Sequence, residues 1–210
     1  PRPIGIETLV AVDVIDARAR RRDELDPAEQ SRRAQELKGA IADQRRAMQN
    51  LQGARAARAD QRKFEAAKNQ GAAQQKAREA DSLGHRMEEA QRSAEDRLER
   101  GGATEAVKAM QQQASEAARL AQRDPESAEK SAAAEAAQKA AEAALQKELD
   151  IREGMRKGEK TQDDLDALDR ELMEGLVRNA AARTRSAQDA AASAMKAARD
   201  AVGSEESEAL

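Results

Sequence analysis

The sequence predicts an all-α protein: long helices in an extended bundle or coiled-coil arrangement, completed by packing against further copies of the chain. Three observations carry this. Of 210 residues, 39% are apolar, but 50 of those residues are alanine. The bulky apolar residues number 32, and Leu, Ile, Val and Phe together are only about 12% of the chain, low for a deep globular core. The remainder is rich in Arg, Glu, Gln and Lys, which with Ala and Leu lose least on entering a helix. Apolar residues then recur at steps of three and four, the spacing of one helical face.

Residues 1–25 form a first unit. Seven of the 32 bulky residues (Ile4, Ile6, Leu9, Val10, Val12, Val14 and Ile15) fall between Ile4 and Ile15. Both a strand-like alternation and a helical spacing can be traced here. A lone strand would have no partner in a helical chain, so helix is favoured, either packed on its own bundle or serving as a free N-terminal arm that docks on a neighbouring subunit. Arg18, Arg20, Arg21 and Arg22 follow, beside Asp23, Glu24 and Asp26. They read as a solvated face, with Arg45 and Arg46 extending it as a basic surface for a partner.

The second unit, 26–100, opens on Asp26-Pro27-Ala28-Glu29, with a capping carboxylate, proline at the first helical position and an acid at the capping-box position. Leu37, Ile41, Gln44, Met48 and Leu51 form a short heptad seam. The next seam positions, Arg55 and Arg58, break the stripe, which resumes near Leu83 and Met87. Gly71 offers a hairpin turn, but a single glycine is a weak stop. An unbroken rod of about 110 Å is slightly preferred.

Gly101-Gly102 marks a firm break. The third unit, 103–158, holds Ala-rich helices with a restart at Asp124-Pro125-Glu126. Alanine seams allow close helix approach but contribute little per methyl, about 0.8 kcal/mol. Gly154 and Gly158 bound a charged turn, and Thr161-Gln162-Asp163-Asp164 starts a C-terminal helix over 161–203. Its cluster Leu165, Leu168, Leu172, Leu176 and Val177 is a second candidate surface for self-association. An acidic tail, 204–210, is expected to fray.

Catalysis is not expected. There is no Cys, Trp or Tyr, and His85 alone cannot build a zinc site or a triad with the residues available. The acids from Asp163 to Glu174 lack the glycine of a calcium loop and carry a helical leucine stripe instead. No cofactor or metal site is expected. Residues 1–100 hold 21 basic and 18 acidic groups and residues 101–210 hold 16 and 22, so the two halves favour each other electrostatically, within one chain or between neighbours. Nucleic-acid binding is disfavoured, because stacking aromatics are missing and acids interleave with the basic groups. No signal-peptide pattern or membrane span is apparent.

The expected function is therefore structural: a self-assembling helical subunit of a filament, tube or virion or secretion-type appendage, whose partner is other copies of itself. The alternative is a helical adaptor or chaperone-like rod for a protein partner. A nucleic-acid-associated scaffold ranks behind both. The premise is scarcity: too few bulky side chains to close a core within one chain.

Overall fold

The computed structural model describes residues 26–208, with side chains to residue 196 except at position 187. Five helices follow one another: α1 (Pro27–Ala66), α2 (Gln70–Gly101), α3 (Glu105–Arg123), α4 (Ala128–Lys157) and α5 (Gln162–Glu208). Among the described residues there is no strand, and none of the helices is long and apolar enough to cross a membrane. The Ile4–Ile15 segment and Arg18, Arg20, Arg21 and Arg22 lie outside the described residues.

Each helix boundary has a local cause. At α1, Asp26 caps as expected, its carboxylate accepting from the Ala28 amide at 3.2 Å with Pro27 at the first position. The expected rod is not formed. After Ala66 the chain closes a Schellman turn: the Asn69 amide donates to Phe64 O at 2.8 Å and the Lys68 amide to Glu65 O at 2.9 Å. Lys68 takes the left-handed position, φ 56°. Asn69 then caps α2 by accepting from the Ala72 amide at 3.2 Å. Gly71, the glycine that offered a hairpin turn, lies inside α2 and plays no part in the stop.

The break at Gly101-Gly102 occurs where expected, with Gly102 at φ 63°. Gly101 is needed for a second reason, since a methyl there would overlap the Leu37 side chain. Between α3 and α4 the cap is Ser127, accepting from the Lys130 amide at 3.1 Å, rather than Asp124, which ends α3. α4 ends at Gly158, φ 76°. Gly154, expected to flank the turn, is buried inside α4 with the Lys160 stem laid over it. Thr161 and Asp164 begin α5 reciprocally: the Thr161 amide donates to Asp164 Oδ2 at 2.8 Å. That helix continues past Gly203 to Glu208.

α1 to α4 run up, down, up, down. Asp43 on α1 accepts from Ser93 (2.7 Å) and Arg97 (2.9 Å) on α2, and Glu36 from Arg97 at 3.1 Å. Arg45 and Arg62 on α1 pair with Glu142 in the middle of the antiparallel α4 and with Glu126 in the turn that leads into it. The charge bias between the halves is thus realised within one chain. α3 is only 19 residues long against 40 for α1, and the α3–α4 turn sits beside the last turns of α1, with Glu126 paired to Arg62.

Two apolar clusters fill this body. One joins Leu37, Ile41, Leu98, Val107, Leu145 and Leu149 across all four helices. The other holds Leu51 and Met87 with Ala47, Ala118, Ala121 and Ala134. Between them runs a polar layer: Gln44 donates to Gln111 at 2.6 Å, Gln111 to Ser115 at 3.3 Å, and Ser115 to Glu95 at 3.0 Å. Such a layer costs stability relative to leucine, the more so because Gln44 Oε1 is buried without a hydrogen-bond partner, but its cross-helix bonds form in one helix register.

The scarcity premise fails for this body. Of 26 buried apolar residues, sixteen are alanine. Small seams bring helix axes to the near end of the usual 8–10 Å range, so ten larger side chains suffice to close the interior. Counting bulky residues underestimates burial when the helices themselves come closer.

Candidate interaction surfaces

The start of α5 is fastened where three helix ends meet. Glu148 is completely buried on α4. Its Oε2 accepts from the Thr104 amide (3.1 Å) and hydroxyl (2.9 Å), and its Oε1 from Arg152 Nε at 2.8 Å. Arg152 also donates to the Gly102 carbonyl. Thr104 does not cap α3 with its own side chain. Asp169 of α5 does so from outside, accepting from the Ala106 amide at 2.9 Å. An anion at a helix N-terminus satisfies a free N–H and the positive end of the dipole together. The sequence shows these acids only as members of charged runs; nothing in their spacing distinguishes Glu148 or Asp169.

Leucines complete the joint. Leu165 and Leu168 are buried and Leu172 packs against the Leu37–Leu149 cluster. These three were expected to serve self-association, and in this fold they are spent inside their own chain. The spacing that identified an apolar face could not say whose surface covers it. Leu176 is half-buried and Val177 is 65% exposed. The seam residues Leu37, Ile41, Leu51 and Met87 are buried, with Met48 and Leu83 half-buried at the same interfaces. Arg45 and Arg46, expected as a basic partner face, pair with Glu142 and Asp43 of their own chain. His85 is exposed, as expected.

Past Leu176 the situation reverses. Every described side chain from Val177 to Lys196 is exposed. At 100° per residue, Met173, Val177, Ala180, Thr184, Ala191 and Met195 share one face. The Thr184 hydroxyl donates to Ala180 O at 3.0 Å, which satisfies the hydroxyl within its own helix. Met173, Val177 and Met195 are 41%, 65% and 72% exposed. Residues 177–208 would extend about 48 Å at 1.5 Å per residue.

No cluster of side chains suited to a metal ion occurs among the described residues. Compared with known proteins, the chain matches no family model, no curated protein and no solved structure.

Proposed function

We propose that the protein is a structural subunit that self-assembles by pairing the free face of α5 with that of a second copy. The observation that carries this reading is the contrast along α5. Its first three turns are anchored to the bundle, while the described side chains from Val177 to Lys196 are all exposed. A solitary helix of this kind is marginal in water and gains stability from a partner face. The face is built of Ala and Thr with Val and Met at intervals, which suits close helix–helix approach.

Pairing α5 with α5 about a two-fold axis closes at a dimer. Growth into a filament, tube or layer requires a second contact, and the apolar Ile4–Ile15 segment is the candidate. A helical adaptor for a different protein would use the same α5 face. Sedimentation velocity over a hundredfold concentration range separates these. The expected result is mass rising with concentration, abolished by Val177→Asp with Met195→Asp, while Val10→Asp with Val12→Asp stops growth at the dimer. A monomer at all concentrations would overturn self-assembly and leave the adaptor.

A further inference from the structure

The α1 seam carries arginine at positions 55 and 58, where heptad spacing calls for apolar side chains. A seam arginine cannot be buried unpaired, and Arg55 and Arg58 are only half-buried. They border a cleft of about 280 Å³ at the end of the bundle opposite the α5 joint. Arg55 and Arg58 face it from α1, Arg119 and Arg123 from the last turns of α3, and Asp81 and Glu88 from α2. Arg62, on the same face of α1, borders the adjoining groove.

These arginines are not equally committed. Arg58 pairs with Asp81 and Arg62 with Glu126. Arg55 makes only long contacts with the Pro125 carbonyl, 3.4 Å from Nε and 3.3 Å from Nη2. Arg119 and Arg123 have no hydrogen-bond or ion-pair partner among the described residues, nor does Glu88. Cations in the last turn of α3 complement its dipole, which accounts for Arg119 and Arg123 by themselves. It does not account for arginines replacing the seam of the facing helix. Gln122 lines the same space and leans in from α3 over Gly84, where a methyl would overlap it.

Guanidinium forks recognise oxyanions bidentately. A single carboxylate would occupy one fork and leave the others idle. A diphosphate offers enough outer oxygens for three, and its charge exceeds the opposition from Glu88. We propose that this cleft binds a small, multiply charged phosphate anion of the pyrophosphate or bisphosphate class, held by Arg119, Arg123 and Arg55. Arg58 remains engaged by Asp81, and Glu88 sets the charge the ligand must exceed. The proposal does not depend on self-association, since α5 contributes no described residue to the cleft.

Isothermal titration of the full chain with sodium pyrophosphate at constant ionic strength tests this. Saturable binding at one site per chain is expected. Arg119→Gln with Arg123→Gln should weaken it about tenfold or more, through loss of charge-assisted hydrogen bonds. Arg183→Gln with Arg185→Gln on α5 should leave it unchanged, and Glu88→Gln should tighten it. Circular dichroism confirms that each variant keeps its helix content, which exposed arginines should permit. No saturable heat at millimolar pyrophosphate would overturn the site. So would equal affinity in the Arg119/Arg123 variant, equal affinity for citrate, or binding confined to duplex DNA.

Discussion

The four-helix body and the outer part of α5 are built from nearly the same residues and end in opposite environments. In α4, Ala134, Ala141 and Ala144 are buried with Leu145 and Leu149. In α5, Ala180, Ala191 and Ala194 also share one side of their helix and are exposed. The difference is not in alanine content but in what lies opposite. α4 has α1, α3 and α5 against it, whereas the described side chains of α5 after Leu176 are all exposed. An alanine-rich helix is a close-packing surface that becomes a core only where a second helix arrives.

The comparison is broken most sharply at Glu148. Glu148→Ala removes the shared acceptor of Thr104 and Arg152 and strands a half-buried guanidinium. A loss of about 3–5 kcal/mol is expected, as for a buried ion pair deprived of one partner. Urea unfolding followed by circular dichroism measures it. A loss below about 1 kcal/mol would mean that the joint does not organise the bundle end.

A matched pair of truncations addresses packing directly. Leu145→Ala should cost about 2–5 kcal/mol by opening a cavity among four helices, while Met195→Ala on the free face should stay within about 0.5 kcal/mol in dilute protein. Comparable losses at both sites would mean that the arm is already covered in the monomer.

A smaller, opposite effect is expected at the hairpin tip. Lys68 holds a left-handed conformation that costs a side-chain-bearing residue about 1–2 kcal/mol. Lys68→Gly relieves this against some added freedom of the unfolded chain, so the midpoint should rise modestly. A fall would show that Lys68 contributes a contact of its own.

The smallest effect is electrostatic and spread over both regions. Hydrogen bonds from Arg32 and Arg33 hold the Glu29 carboxyl down to about 2, from 4.5. Lys63, Lys130 and Lys157 likewise lower Asp60, Asp124 and Glu153 by hydrogen-bonded pairing, and the Thr161 amide lowers Asp164. Depressed carboxyl values mean that the unfolded chain binds more protons, so their contribution is present above the ordinary carboxylate range and is lost as pH falls towards the folded values. None is buried, so the slope should be shallow and should flatten in high salt. Melting curves between neutral pH and pH 2 check the sign.

Legibility followed how local the cause was. Asp26-Pro27, Gly102 and Thr161 with Asp164 are readable because capping depends on a few neighbouring residues. The Leu37–Leu51 and Leu83–Met87 seams are readable because helical periodicity exposes one face. The hairpin at Lys68 escaped because its left-handed position carries neither Gly nor Asn. The joint escaped because Glu148, Thr104 and Asp169 are brought together only when α3, α4 and α5 converge. The arginine cleft was visible merely as a gap in a seam; what faces Arg55 across that gap belongs to α2 and α3.

By itself, then, the sequence determined an all-helical chain, most of its boundaries, and which face of each helix is apolar, because all three are set by residues within a turn or two of each other. The tertiary structure decided which apolar faces are spent inside the chain and which are left over. Alanine seams close by helices approaching one another, and that separation is a property of the assembled bundle, not of any single stretch of residues. This is why Leu165, Leu168 and Leu172 belong to the core, while Val177 and Met195, on the same helix, remain open to solvent.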